Sequence, residues 1–473
     1  MKNFSALPIF MSMTLLITSG CGSSSLDVST SNTEDQSATP ATTNNPTAVG
    51  ASALPLGIGC GWQIVSAADV TNVLYPDEAA VYWLSVIPNI PGARLRIDGL
   101  YPDARYFSFN VYDPLLRPID AIADERVAPT VAGHNPYTTA GAAPGGDYRA
   151  YVAFTQKPDA PAANTIYSGF VNIGSNVAPN PVSTVLAYRI YVPADGLRGK
   201  VRLPQLTLES ADGKQTYGTL PNCDGPLLPN LGGTVPGLGL NPLLASTSYP
   251  ETLSALPYPI AAYPPKSNVF YGLPDSYIGI INNVSPVPVP VMSSQIPLTG
   301  GGGFLSNKDN AYTVTAFSRN HGTIFLLRAR APRYRTQSGV SFGSEDMRYW
   351  SVCQNEFATQ RYVACARDEQ VALDDQGFYT VVVSDLDKRP ANATPANGFA
   401  WLPWGAYPDG LLIYRQLLAA AAFVPAIKNV PAGTPPEQIM GDYLPQGAYC
   451  TRAAFEAAGM RPASVFAACK AIQ

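Results

Sequence analysis

The chain has 473 residues and a formal net charge of −4, from 30 basic and 34 acidic side chains. Charged residues make up 14% of it, well below the roughly 25% of an average soluble domain, whereas the 45 prolines, 40 glycines and 26 tyrosines are numerous. This neutral, turn-rich composition is typical of exported β-proteins. It lacks the basic stripes that nucleic-acid binding requires, so nucleic acid is not a predicted partner.

The N-terminus is typical of a targeting signal. After a short positive start, residues 6–17 (ALPIFMSMTLLI) form an apolar stretch that is too short to span a membrane. Residues 17–21 (ITSGC) resemble the bacterial lipobox, although Thr18 stands where that motif usually has Leu. The resemblance implies that Cys21 is lipidated in the cell envelope, and Gly22 resembles the residue found in lipoproteins sent to the outer membrane. An ordinary secretory signal with a chance cysteine remains the alternative.

The segment after this signal peptide (1–21) predicts a tether. Residues 22–55 are almost all Ser, Thr, Asn, Ala and Pro, and such a segment cannot bury enough apolar surface to offset its ordering entropy. We predict a disordered coil that holds the body roughly 30 Å from the membrane. No later run reaches 18 apolar residues without a charge, so the lipid is the only predicted membrane anchor.

The chain resembles itself over several blocks in the same order. The aligned pairs are 80–102 with 310–332, 104–109 with 347–352, 123–129 with 367–373, 146–154 with 376–384, and 186–193 with 412–419. Most blocks alternate apolar and polar residues, as half-buried strands do. In the strand around Phe107 and Phe109, the polar face carries Tyr106, Ser108 and Asn110.

This pattern predicts an all-β protein of two tandem jelly-roll-like β-sandwich domains formed by an internal repeat. We place the domains at 56–225 and 299–432, joined by a Pro/Gly-rich connector (226–298) in which Tyr277–Ile281 would add a strand. Residues 433–473 predict a small helical appendage. Its first helix would have Thr434 as N-cap, and its second would end at Gly459.

Six of the seven cysteines predict disulfides. Setting Cys21 aside leaves an even number, as an oxidising compartment favours, and no C-x-x-C motif indicates zinc or redox chemistry. No cofactor or metal is predicted. The predicted pairs are Cys60–Cys223 across the first domain, Cys353–Cys365 on successive strands of the second, and Cys450–Cys469 around the helical appendage.

One stretch invites a hydrolase interpretation, which we reject. Residues 339–343 match G-x-S-x-G around Ser341, but a nucleophile elbow needs a strand before the serine and a helix after it. Here the motif lies in an insertion of copy two that leads into another strand. The only histidines, His134 and His321, fall in other loops, so a surface loop is the better prediction.

Two short stretches resemble a known family. Residues 107–113 (FSFNVYD) and 399–405 (FAWLPWG) resemble the bacterial domain-of-unknown-function family number twelve-fourteen, with its W-S-x-x-x-Y-D strand and N-W-L-P turn. Copy one has Phe107 in place of the first Trp, and copy two keeps Trp350-Ser351. The resemblance implies a jelly-roll-like β fold and no activity.

Polar residues that recur in both copies are the candidates for chemistry. These are Arg105 and Arg348, Asp124 and Asp368, Glu125 and Glu369, and Arg189 and Arg415. Paired carboxylates could cleave a glycan by acid/base chemistry. We favour a structural ion pair within each domain, because an Arg–carboxylate bond fixes strand register.

Two further kinds of site are considered. Residues 306–311 and 373–377 carry Asp and Asn that could bind calcium, although turn chemistry accounts for them better. Trp401, Trp404 and Tyr407, in a Pro/Gly-rich stretch, are the candidate exposed aromatics for stacking on a glycan. The favoured function is thus a membrane-anchored, non-catalytic binding or structural module for a glycan or another envelope component. The alternative is an envelope glycan hydrolase or lyase.

The lipidation hypothesis makes the first testable prediction. Cys21→Ser should move the protein from the membrane fraction to the soluble periplasm, because the acyl chains are its only predicted anchor. Cell fractionation measures this. Intact-mass analysis that finds an unmodified N-terminus beyond residue 22 would contradict the prediction.

Overall fold

The computed structural model describes residues 60–473 except 71, 73–74, 114–116, 174–175, 181–182, 224–260, 272–304, 336–343 and 357–359. Within this range the chain is mostly β-strand and forms two β-sandwiches, which confirms the predicted fold class. Cys21, the segment 22–55, Tyr277–Ile281 and Ser341 lie outside the described residues. No helix among those that are described is long and apolar enough to cross a membrane.

Among the described residues, the first sandwich and its separate hairpin together contain twelve strands. They are β1 Ile64–Ser66, β2 Ala80–Pro88, β3 Ala93–Leu100, β4 Ala104–Tyr112, β5 Pro118–Ala123, β6 Asp147–Ala153, β7 Thr165–Tyr167, β8 Phe170–Ile173, β9 Asn176–Pro179, β10 Ser183–Pro193, β11 Gln205–Ser210 and β12 Thr216–Leu220. One sheet has the order β1-β2-β10-β4-β5 and the other β12-β11-β3-β6-β7, with β8 and β9 as a separate hairpin. Apolar side chains from both sheets form its core.

The second sandwich repeats this plan. Its strands are β13 Ser267–Val269, β14 Asn310–Ser318, β15 Ile324–Arg330, β16 Met347–Glu356, β17 Tyr362–Arg367, β18 Phe378–Ser384, β19 Ala400–Pro403, β20 Asp409–Ala419 and β21 Gln446–Cys450. The sheets run β13-β14-β20-β16-β17 and β19-β18-β15-β21.

Strand register supports the internal repeat. Arg189 in β10 lies opposite Tyr82 and Ser108, and Arg415 in β20 lies opposite the aligned residues Tyr312 and Ser351. A shift of one residue in either sheet would turn every side chain of the strand to the other face. Matching registers in the two sandwiches are therefore strong support for the repeat.

One aligned block needs a correction of one residue. The sequence alignment placed Tyr148 with Phe378, but Gly99 pairs with Tyr148 while its counterpart Ala329 pairs with Tyr379. Tyr148 therefore corresponds to Tyr379. Both tyrosines point into their cores, with 1% and 0% of their surface exposed.

The second sandwich extends beyond its predicted boundaries. β21, from the predicted appendage (433–473), pairs with β15 just as β11 pairs with β3. β13, from the predicted connector (226–298), pairs with β14 just as β1 pairs with β2. Both strands complete sheets that residues 299–432 alone would leave short.

The described residues after β20 include three helices, which differ in part from the prediction. They are α1 Glu437–Met440, α2 Arg452–Ala457 and α3 Pro462–Ala471, with 3₁₀ turns at Asp124–Arg126, Leu386–Lys388, Pro395–Asn397, Ile427–Asn429 and Gly441–Tyr443. Pro436, not Thr434, is the N-cap of α1, whereas Thr451 caps α2 by accepting from the Ala454 N–H. The third helix was missed, although Pro462 at its first position marks its start.

Three disulfides staple these units. Cys60 is bonded to Cys223, Cys353 to Cys365 and Cys450 to Cys469, which are the predicted pairs. Cys353 and Cys365 lie directly opposite each other on β16 and β17. The Cys450–Cys469 bond ties α3 to β21, so that α2 and α3 cover the outer face of the second sandwich, where Phe455 and Val465 pack on Leu326.

The central strands β4 and β16 are buried along their whole length. Phe107 and Phe109 point into the first core, as alternation predicts. The opposite face does not meet solvent: Tyr106 and Tyr112 pack in one cluster with Leu305, Tyr349 and Leu417 of the second half of the chain. The two sandwiches therefore meet through the sheets that contain β4 and β16.

A glycine in β20 gives a packing test. A Cβ at Gly410 would lie 2.5 Å from the ring of Phe317, which is fully buried and stacks on Phe325. Gly410→Ala should lower the free energy of unfolding by roughly 1–3 kcal/mol, because the ring has nowhere to move. Gly61→Ala is the control, since its Cβ would find ordinary contacts at 3.6 Å. Equal losses in the two variants, measured by denaturant unfolding, would contradict this packing.

Candidate functional site

The recurring Arg and acidic residues meet at the interface between the sandwiches. Arg105 Nη1 donates to both carboxylate oxygens of Asp368, at 2.8 and 2.7 Å, and Nη2 donates to Glu369 at 2.8 Å. The aligned Arg348 donates to both oxygens of Asp124, at 2.5 and 2.6 Å, and to Glu125 at 3.1 Å. Each arginine thus reaches the acids of the other sandwich.

This arrangement corrects the prediction of one ion pair within each domain. Arg105 and Arg348 lie on the faces of β4 and β16 that meet the opposite sandwich, so the carboxylates within reach belong to the other copy. Sequence alternation places these residues on a polar face but does not say what covers that face.

The two aspartates also accept hydrogen bonds from the backbone of their own sandwich. Asp124 accepts from the N–H groups of Phe107 and Glu125, and Asp368 accepts from those of Trp350 and Glu369. With their oxygens held by backbone N–H groups and an arginine, these carboxylates are not available to take a proton from a substrate. The structure therefore gives them a structural role at this interface.

Burial works against these ion pairs. Burial raises the pKa of Asp368 to about 6, although the charge of Arg105 acts to lower it. Burial likewise raises the pKa of Asp124, although Arg348 acts to lower it. Removing both charges from water costs several kcal/mol per ion, so such a pair adds little net stability. The pair instead specifies how the two sandwiches dock, because any other arrangement would bury one charge without its partner.

A second pair of arginines repeats the crossing. Arg189 donates to Tyr112 at 2.7 Å and to the Leu305 carbonyl, and it lies 4.2 Å over the Tyr82 ring. Arg415 donates to the Tyr75 carbonyl at 2.5 Å. Leu305 and Tyr75 are aligned residues, and both have positive φ, at 53° and 54°. The strained turn that receives each arginine is thus also repeated.

The aligned residues Asp77 and Asn307 make different contacts at this interface. Asp77 accepts from the hydroxyls of Tyr349 and Ser351 at 2.7 and 2.5 Å and lies 3.6 Å from Arg415. Its counterpart Asn307 bonds Tyr106 instead.

Asp77 also lies within 4.8 Å of the sulfurs of Cys353 and Cys365, a group that could suggest a metal site. Both sulfurs are committed to a disulfide, so this group offers a metal one carboxylate and no thiolate.

The predicted aromatic platform is wrong for two of its three residues. Trp404 and Tyr407 are only 1% and 8% exposed. Arg319 explains why: its guanidinium lies 5.2 Å over the Trp404 ring and donates to the Tyr407 carbonyl at 2.5 Å, which folds the loop inward. Trp401 is half-buried, and its indole N–H donates to Ser384 at 3.0 Å.

The two candidate calcium turns serve other contacts. Asp374 accepts from the N–H groups of Gln376 and Phe378 and from Arg328, which is turn chemistry with an ion pair. Asp309, in the other turn, accepts from Tyr106 across the interface at 2.7 Å.

Sequence reasoning missed one polar cluster in the second sandwich. Asp409 Oδ1 is buried without a hydrogen-bond partner, and in the described part of the chain no Lys, Arg or His nitrogen lies within 4.0 Å of its carboxylate. Burial raises the pKa of Asp409, whereas a hydrogen bond with Ser318 and the nearby His321 act to lower it. The ring of His321 lies 5.2 Å from Tyr263 and 5.5 Å from Tyr449.

A signal for this cluster was present in the repeat. The positions in copy one that align with Ser318 and Asp409 are Pro88 and Ser183. A half-buried acid that appears in one copy alone is a difference that the alignment could have revealed.

Comparisons with known proteins add little to this description. No protein-family model matches the chain, and no curated protein matches it. An uncharacterised protein from Burkholderia cenocepacia is similar at 12% identity and a TM-score of 0.44, covering 84% of each chain. The VPA0106 protein from Vibrio parahaemolyticus is similar at 11% identity and a TM-score of 0.35, covering 81% of this chain and 92% of its own. The fold assignment therefore rests on the strands themselves.

The crossed ion pairs predict a specific pattern in a double-mutant cycle. Arg348→Met should cost about 3–5 kcal/mol of unfolding free energy, because it leaves the buried Asp124 charge unpaired. Asp124→Asn keeps an acceptor for the backbone, so the double variant should recover part of this loss. Urea unfolding measures each variant. Additive losses, with no recovery in the double variant, would contradict a coupled pair.

Proposed function

We propose that this protein is an exported, lipid-anchored envelope protein whose body is a non-catalytic binding or structural module. The observation that carries the proposal is that the repeated carboxylates already have arginine and backbone partners. Asp124 and Asp368, the best candidates for acid/base chemistry, are held by Arg348 and Arg105 and by backbone N–H groups. Their arrangement supports a role in joining the sandwiches.

The cysteines support the compartment. Six of the seven pair within the described body, which suits an oxidising space outside the cytoplasm. The seventh, Cys21, occupies the position that a lipobox would modify. We place the protein at the outer membrane on Gly22 after Cys21, with the segment 22–55 as the tether between lipid and body.

The outer faces of the two sandwiches suggest where a ligand would bind. In the second sandwich this face carries Ile324, Leu326 and Val382, which α2 and α3 cover. The aligned residues of the first sandwich are Arg94, Arg96 and Tyr151. No helix covers them among the residues that the structure describes.

The charges of this open face favour an acidic glycan. Arg94 and Arg96 share Glu209, and Arg149 bonds Asp98 at 2.6 Å. Three guanidinium groups thus share two carboxylates at the centre of this face, and Asp147 lies at its end, at the start of β6. Arg149 keeps 53% of its side chain exposed. The half-buried Tyr151 lies on the same strand with Arg94 4.2 Å over its ring, so the face offers an aromatic ring and cations side by side.

A glycan array on the body from residue 56 onward tests this binding role. We expect it to retain acidic envelope glycans, and the double variant Arg149→Ala with Tyr151→Ala should lose at least about tenfold in affinity. Arg452→Ala, an equally exposed arginine on α2, is the matched control and should bind normally. Retention that is unchanged in the double variant would contradict binding at this face.

A second candidate, an envelope hydrolase, is favoured by one observation only. Asp409 is a half-buried acid with no arginine nitrogen within 4.0 Å in the described part of the chain, and it lies near His321. Turnover of a glycan or ester substrate that Asp409→Asn abolishes, while Asp374→Asn does not, would establish this activity and overturn the non-catalytic proposal.

A further inference from the structure

Among the described residues, the two sandwiches share no covalent bond except the chain itself. The Cys60–Cys223 disulfide lies within the first sandwich, and the Cys353–Cys365 and Cys450–Cys469 disulfides lie within the second. The segment 261–271 belongs with the second sandwich, since β13 pairs with β14 and Tyr271 donates to the Val430 carbonyl. The covalent link between the two bodies is therefore residues 224–260.

The contacts between the sandwiches have the pattern of a two-fold symmetric dimer. In such an isologous interface, residue i of one subunit contacts j of the other, and j contacts i in return. Arg105 contacts Asp368 and Glu369, while Arg348 contacts Asp124 and Glu125. Arg189 reaches the Leu305 carbonyl, while Arg415 reaches that of Tyr75.

We infer that the two sandwiches are independent binding partners, which recognise each other through a self-complementary face and do not need the link at 224–260 to stay together. The partner that each face fits is the aligned face of the other sandwich. Each carries an arginine on its central strand and an Asp-Glu pair after the next strand, around a shared apolar cluster.

Apolar contacts add to the recognition. Tyr191 packs edge-on against Tyr349 at 5.6 Å, and Tyr106 and Tyr112 lie in the same cluster as Leu417. Aromatic and arginine side chains that are fully desolvated at the centre of an interface contribute most of its binding energy. The buried tyrosines and arginines of the two faces are therefore the residue types expected at a stable interface.

Cutting the link in the folded chain tests this inference without a substitution at the interface. A protease site inserted within 224–260 of the full chain is cleaved after folding, and the product is run on a native sizing column at micromolar concentration. We expect both halves to elute together at the size of the intact body. Two separate peaks would overturn the inference.

Variants of the cleaved chain identify the face that holds the halves. Arg105→Met and Arg348→Met should each weaken association at least about 30-fold, since each leaves a buried carboxylate unpaired across the interface. Arg328→Met is the matched control: its ion pair with Asp374 is also buried but lies within the second sandwich. It should leave association unchanged.

A milder variant covers the possibility that the methionine variants do not fold. Glu369→Gln removes the negative charge from one contact of Arg105 at the rim, where the glutamate side chain is 35% exposed, and should weaken association several-fold in a folded protein. If Arg328→Met weakens association as much as the interface variants do, or if Glu369→Gln has no effect, the crossed pairs do not hold the halves together.

Discussion

The reciprocal contact of Arg105 with Asp368 and of Arg348 with Asp124 is the constraint on which the body depends. Each aspartate binds the backbone of its own sandwich and the arginine of the other. The pairs therefore couple the local geometry of each central strand to the position of the opposite sheet. Because a buried charge is costly without its partner, only one docking of the two faces satisfies all four side chains.

The same repeat has been adapted differently on its outer faces. Where the first sandwich has Arg94 and Arg96 on β3, the second has Ile324 and Leu326 on β15. An apolar sheet face must be covered, and α2 and α3, tied down by the Cys450–Cys469 bond, cover it. The apolar residues on β15 thus account for the appendage, whereas no helix among the described residues covers the polar face of the first sandwich.

Much of the fold followed from sequence pattern. Alternation and the repeat predicted two sandwiches, and the location of Cys353 and Cys365 on successive strands predicted a local pair. Pattern failed where a partner distant in the chain decides the outcome. Tyr106 and Tyr112 look like a solvated face, because a tyrosine suits both water and a polar interface. Likewise Trp404 lies in a Pro/Gly-rich stretch that suggests exposure, and only Arg319 folds that stretch inward.

The central claim is that the faces of β4 and β16 are buried against each other in the native chain. Hydroxyl-radical footprinting of the intact protein, read residue by residue by mass spectrometry, tests it directly. Tyr106 and Tyr349, both fully buried, should resist oxidation, while Tyr217 and Tyr263, at 37% and 50% exposure, should react readily. Oxidation of Tyr106 and Tyr349 at the rate of the two exposed tyrosines would show that the sandwiches do not meet through these strands.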